Sequence, residues 1–202
     1  VLFPLLEKLQ RNLKLFLCNK LKVETLIIID RHKTCKMKLP PYDIYPSISD
    51  EKIVLRQILA SGIKDVIEIS FYDSIPAKTI EEATEMQQKI DKDYETGNSI
   101  HWGIVDKTTN NIVGTCGYYR GFDEGIGELG CVLLSQYRGQ GFMSHAMQLA
   151  INFGLNTIGL KCVKAITTKQ NDKAVKLLDR LNFIKIADLQ DDEIEYELRI
   201  KV

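Results

Sequence analysis

The stretch "SQYRGQGFMSHAMQLAINFG", residues 135–154, begins as a loop with a bare Gly-x-Gly and continues as a helix with one apolar face. The chemistry such a junction supports is anion binding. First-turn amides have no acceptor within the helix, and the helix dipole adds partial positive charge there. Gly139 and Gly141 permit unusual φ values and place no Cβ between a ligand's oxygens and the backbone, while Arg138 beside them adds a formal charge. Two familiar phosphate loops do not fit. No Gly-Lys-Ser/Thr is present, so the nucleoside-triphosphate loop lacks its lysine and its magnesium-binding hydroxyl. The dinucleotide fingerprint fails as well, since Ser144 stands at the third glycine position and the preceding strand follows a hairpin.

Other reactive side chains are dispersed. Cys18, Cys35, Cys116, Cys131 and Cys162 form no Cys-x-x-Cys pair and total an odd number, which speaks against a disulfide framework or zinc site and for a reducing cytosol. His32, His101 and His145 are isolated, so no metal is expected. Asp123 and Glu124 stand in a Gly-rich turn, where they either attract a cationic substrate or simply occupy a turn as acidic residues do. Lys+Arg and Asp+Glu both number 27, so nothing global points to nucleic acid or an anionic membrane. The pure aliphatic run Leu26–Ile29 is far too short to span a bilayer. The first residues lack the basic start and small-residue cleavage site of a signal peptide, and a cytoplasmic protein is expected.

The elements that must position the loop follow from periodicity. Residues 1–50 read as an extension. Leu2, Leu5, Leu6, Leu9, Leu13, Phe16 and Leu17 form a helical apolar stripe that packs on its own domain or a sister subunit, leaving room for a homodimer. "VETLIIID" then reads as a strand and "LPPYDIYPSISD" as a proline-punctuated linker, with Met37 a candidate internal start. Residues 51–202 form the main domain. A strand at 53–58 precedes helices at 63–71 and 79–95, the second marked by Thr79 three residues before Glu82, a capping-box spacing. "IHWGIVD" and "IVGTCGYYR" flank "KTTNN" as a β-hairpin. The strand "ELGCVLL" leads into the glycine loop and its helix; "CVKAITT" and the helix "DKAVKLLDRL" follow, with Asn182 suited to a left-handed stop. "FIKIADL" and "EIEYELRI" close as an antiparallel pair.

"Gln136-Tyr137-Arg138-Gly139-Gln140-Gly141" resembles the Gln/Arg-x-x-Gly-x-Gly/Ala loop of the GNAT N-acetyltransferase superfamily. "NDKAVKLLDRLNF", Asn171 to Phe183, resembles that family's second signature, in the right order and about 30 residues further on. The resemblance covers residue 53 to the C-terminus and is nearest the branch that acetylates ribosomal-protein N-termini, with spermidine acetyltransferases close behind. It implies an α+β fold: a mixed, mostly antiparallel twisted sheet of about six or seven strands flanked by about four helices. It also implies acetyl-coenzyme A as co-substrate. Backbone groups of Cys131, Val132 and Leu133 would pair with the pantetheine arm like an added strand. Gln136 and the amides of Arg138, Gly139, Gln140, Gly141 and Phe142 would take the pyrophosphate, and Asn171, otherwise a plain helix cap, would face the pantetheine.

Amide formation needs a neutral amine. A lysine-like amine has pKa ~10.4 and an α-amine ~7.7–8.0, so presenting them neutral near pH 7 costs ~4 and ~1 kcal/mol respectively. A polyamine enzyme therefore needs the stronger proton-removal device. The resemblance offers Glu128, at the start of the strand before the loop, as a general base acting through water. The tyrosine and serine that relatives use as acids are replaced by Leu178 and Ala174, which leaves Ser135 and Tyr137 as nearby hydroxyls. The thiolate, of pKa ~8.5, is a fair leaving group without help. Attack is expected to be direct, on a thioester whose oxyanion is held by strand amides, not through Cys131. The substrate is expected to be a protein N-terminus or a small amine; the alternatives are a polyamine, or an inactive module that binds an acyl-coenzyme A.

Overall fold

The computed structural model describes residues 37–73 and 75–199. The apolar stripe and the strand expected at 23–30 lie outside the described residues. Ten strands and three α-helices are present in the described part: β1 Ile48–Ser49, β2 Ile53–Arg56, β3 Phe71–Tyr72, β4 Ile75–Pro76, α1 Ile80–Glu95, β5 Ile100–Asp106, β6 Ile112–Tyr119, β7 Ile126–Leu133, α2 Phe142–Phe153, β8 Cys162–Thr168, α3 Asp172–Arg180, β9 Ile184–Asp188 and β10 Glu193–Arg199. Eight strands form one sheet in the order β1-β2-β5-β6-β7-β8-β10-β9, and β3–β4 is a separate small hairpin. Every neighbouring pair in the large sheet is antiparallel except β7–β8, which the helix α2 connects in parallel.

Each face of the sheet has its own core. Ile100, Trp102, Ile104, Cys116, Tyr118 and Leu129 pack against Ala146, Ala150 and Phe153 of α2. On the other face Val105, Ile112 and Leu134 pack with Ile58, Ile63, Val66, Ile69 and Ala83 of α1. Fully burying a large apolar side chain is worth about 1.5–3 kcal/mol, so these two clusters hold the sheet between its layers. Among the described residues no helix is long and apolar enough to cross a membrane.

Local signals act as expected. Thr79 Oγ1 accepts from Glu82 N–H at 3.2 Å, and Glu82 Oε2 reaches back to Lys78 N–H at 2.6 Å. Asn182 stops α3 at φ 63°, with Phe183 N–H on Leu178 C=O and Asn182 N–H on Asp179 C=O, both 3.0 Å.

One expectation needs correction. The helix at 63–71 is instead two 3₁₀ turns, Ala60–Asp65 and Ile67–Ile69. Ile63, Val66 and Ile69 are the buried residues, and their three-residue spacing fits 3.0 residues per turn, while β-branching disfavours the α form. Among the described residues the large sheet also takes in β1, which lies in the segment read as a linker. That segment belongs to the compact unit Met37–Val202. β2 pairs with β5 only as far as Gly103, and beyond it the Tyr45 hydroxyl accepts from His101 N–H at 3.2 Å and donates to His101 C=O at 2.6 Å. The Tyr45 hydroxyl thus satisfies the edge groups of His101 that β2 does not reach, and Trp102 Nε1 donates to Pro46 C=O at 2.9 Å.

Candidate active site

The site begins where two strands part. β7 pairs with β6 from Tyr119↔Glu128 to Gly114↔Leu133. Against β8 it pairs only at Ile126↔Cys162, Gly127↔Val163 and Glu128↔Lys164. From Leu129 onward one edge of β7 faces no strand, and alternate residues there direct N–H and C=O into a wedge. Five residues of strand, Leu129 to Leu133, give that wedge a length of about 17 Å. Cys131, Val132 and Leu133 lie on this open edge.

The wedge leads to the glycine loop. Gly139 and Gly141 have φ of 77° and 86°, left-handed values that L side chains adopt only under strain. Gly141 is the residue before α2 and offers no side-chain cap. Among the described residues no acceptor faces the main-chain N–H groups of Gly139, Gln140, Gly141, Phe142 or Met143; Ser144 N–H turns back to Gly141 C=O at 3.1 Å. Five successive bare amides at a helix N-terminus make a concave anion site. A Cβ on Gly139 would meet nothing within 4 Å, so the glycine is required by backbone conformation and not by crowding.

Side chains from elsewhere complete the loop. Lys52 Nζ donates to Gln140 C=O at 2.5 Å and lies 4.7 Å from the centre of the Phe142 ring, which places a cation beside the bare amides. Asp50 fixes that turn, its Oδ1 accepting from Lys52 N–H at 2.8 Å and Ile53 N–H at 2.9 Å. Its Oδ2 takes His145 Nδ1–H of α2 at 2.6 Å. Gln140 Nε2 donates to Gln136 C=O at 2.9 Å, and the Arg138 guanidinium sits 3.4 Å from Leu133 C=O. Asn171 Oδ1 caps α3 by accepting from Ala174 N–H at 3.2 Å, which leaves its Nδ2 for a ligand.

Glu128 occupies the last paired position before the wedge, half-buried and in an ion pair with exposed Arg120. Strand alternation puts it on the α1 face with Gly130 and Val132, whereas Cys131 faces α2. Cys131 Sγ lies 3.0 Å from Cys116 Sγ, and burial, then the neighbouring Cys131, push the Cys116 thiol well up. Cys131 thus points away from Glu128, in keeping with direct attack. Ser135 is exposed, lies 3.4 Å from Gln136 Oε1 and follows the end of β7, about 20 Å along the chain from Glu128. The structure does not bring Ser135 and Glu128 together. Leu178 is buried in the core, and the Tyr137 ring packs edge-on against Phe142.

Lys52, Asp50 and Arg120 carry no local signal of a site in the sequence, and His145 reads there only as an isolated histidine. Asp50 at a Ser-Asp-Glu-Lys turn was readable as a turn former, but nothing local links residue 52 to residue 140.

A mixed sheet that opens at one parallel pair, with bare amides at the mouth of the opening, is the fold and site of an acetyl-group transferase. The sequence matches the acetyltransferase (GNAT) domain over residues 53–184, and the chain belongs to that family. It is 32% identical over 128 residues, 62% of this chain and 72% of the relative, to the uncharacterized N-acetyltransferase p20 of Bacillus licheniformis. It superposes on the ribosomal-protein-S5-alanine acetyltransferase of Vibrio fischeri with TM-score 0.64 at 20% identity, covering 76% of this chain and 96% of that one. Spermidine N-acetyltransferase of Vibrio cholerae, described as dodecameric, is similar with TM-score 0.64 at 15% identity, covering 74% and 95%. The chain is an acetyl-coenzyme A-dependent acetyltransferase. The bare amides suit a diphosphate, and the open edge of β7 suits an extended arm.

Proposed function

We propose that the protein acetylates an α-amine, that of a protein N-terminus or of a small molecule, by direct attack on the thioester. The single observation carrying this reading is the loss of β7–β8 pairing after Glu128, in line with five free amides at 139–143. Acetyl-coenzyme A supplies an acyl carbon already bonded to a good leaving group. Amides 139–143 and Lys52 hold the diphosphate, the edge of residues 129–133 aligns the arm, and Asn171 Nδ2 donates to it from the start of α3, beyond the end of β8. Glu128, at the apex, takes the amine's proton through water; Arg120 holds its carboxylate until an amine arrives.

An α-amine is supported because it is neutral for only ~1 kcal/mol near pH 7, which suits a single carboxylate as base. A polyamine is the second reading, supported by the structural likeness to spermidine N-acetyltransferase and by exposed Asp123 and Glu124 beyond β6. The free thiols of Cys116, Cys131 and Cys162 suit a reducing cytosol. Glu128→Gln tests the mechanism: kcat is expected to fall about 100-fold with the Kd for acetyl-coenzyme A within threefold, read by thiol release and titration calorimetry. Unchanged kcat removes Glu128 from the reaction.

A further inference from the structure

Beneath α1, on the face of the sheet that carries Glu128, lies a cavity of about 30 Å³ that none of the groups above uses. Ile69, Met86 and Ile90 form its apolar wall, and His101, Thr115 and Tyr119 its floor; no Asp, Glu, Lys or Arg lines it. His101 Nδ1 is buried with no hydrogen-bond partner. Burial lowers the imidazole pKa to about 4, so the ring is neutral at physiological pH, with one nitrogen donating and the other accepting. Buried polar atoms in folded proteins nearly always find a partner, so an orphaned ring nitrogen beside a cavity marks a place for a ligand atom.

The floor runs towards the wedge. His101 is opposite Gly117 on β6, and Gly117 is opposite Gly130 on β7. A Cβ on Gly117 would lie 3.2 Å from His101 Cδ2, and one on Gly130 would lie 2.9 Å from Tyr119 Cε2. The two glycines therefore let the rings of His101 and Tyr119, 5.6 Å apart, lie across β6 and β7. Two strand spacings, about 10 Å, separate β5 from the open strand, within reach of a substrate whose amine sits at Glu128.

The geometry points to this cavity as the specificity pocket of the amine substrate: it receives the side chain next to the reacting nitrogen and, through His101, prefers a short uncharged side chain bearing a hydroxyl. This rests on the reading of the chain as an α-amine acetyltransferase. A hydroxyl both donates and accepts, which answers a neutral imidazole and the hydroxyls of Tyr119 and Thr115. The volume holds about two waters, enough for a hydroxymethyl group and too little for a polyamine arm. A second ammonium would also enter with no carboxylate to meet it.

The test uses the full chain, acetyl-coenzyme A and peptides that differ only in a first residue of Gly, Ala, Ser, Thr or Lys, with spermidine alongside. Expected are kcat/KM values at least tenfold higher for Ser and Thr than for Ala, and lowest for spermidine. His101→Phe keeps the ring and removes the nitrogens; it should bring Ser within about twofold of Ala. Without turnover, ¹⁵N-histidine spectra of the coenzyme A-bound protein should show the His101 ring signals moving with the Ser peptide and not with Ala. Should His101→Phe fail to fold, Met86→Phe fills the cavity from the helix and should lower Ser and Ala peptides about tenfold more than the Gly peptide. Equal wild-type rates for Ser and Ala, or a Ser preference that survives His101→Phe, overturns the inference alone, whereas spermidine as best substrate overturns the α-amine reading and the inference with it. Absence of thiol release with every amine, while acetyl-coenzyme A still raises Tm, overturns the α-amine reading and this inference with it.

Discussion

The three α-helices of the described residues begin in two different ways. α1 starts behind Thr79 and α3 behind Asn171, and each of these side chains accepts an N–H of the first turn. α2 starts behind Gly141, in left-handed conformation and with no side-chain cap. Since glycine at this position costs only a few tenths of a kcal/mol relative to the good caps, the bare start is cheap. It leaves the donors exposed for a ligand. What steadies α2 instead comes from the β1–β2 turn, where Asp50 meets His145 and Lys52 meets Gln140 and Phe142. One helix end is held open by distant residues; the other two are closed by their own sequence.

That contrast can be broken or sharpened by substitution. The largest effect is expected for Gly141→Val. A left-handed β-branched residue costs upwards of about 1–2 kcal/mol locally and deflects the amides, so kcat/KM for acetyl-coenzyme A should fall at least 100-fold. The rise in Tm that the co-substrate produces should vanish while the circular dichroism stays native. Retained binding would mean that the open helix start is only a turn. Lys52→Met should come next, raising KM for acetyl-coenzyme A about tenfold, as loss of a hydrogen bond to a charged group would, and flattening its dependence on salt.

Asp50→Asn should act more weakly and with a pH signature. Burial pushes the Asp50 carboxyl up, but the N–H groups of Ile53 and Lys52 and the His145 ring outweigh it and hold the carboxyl below its ordinary value. A depressed carboxylate stabilises the fold fully above its unfolded pKa, ~3.9, and loses that contribution as pH falls through the lower folded value. The pair is partly solvated, so a difference of about 1 kcal/mol at pH 7 is expected, closing below pH ~3.9 in thermal melts. The smallest effect belongs to Thr79→Ala. It should cost about 1 kcal/mol, or 2–4 °C in Tm, with KM for acetyl-coenzyme A unchanged, because that cap closes a helix and does nothing else.

Much of this was legible in the chain because its causes are local. The Thr79–Glu82 cap, the left-handed Asn182 and the positive φ at Gly139 and Gly141 each depend on partners within a few residues. The hairpin 100–119 followed from alternation and a polar turn. The 63–71 segment misled because apolar residues three apart serve α and 3₁₀ turns alike over so short a span. β7 was read from Glu128, yet the three residues that anchor β8 are Ile126, Gly127 and Glu128, two of them within the apparent glycine turn.

By itself, then, the sequence determined most of the segments that coil or extend and where a helix is left uncapped, since backbone conformation answers to near neighbours. Only the tertiary structure decided that β7 and β8 part at Glu128, that Lys52 and Asp50 stand at the mouth of the loop, and that His101 is orphaned above two glycines. Those facts depend on residues as many as 95 positions apart being packed side by side, and no local pattern encodes which strand will lie next to which.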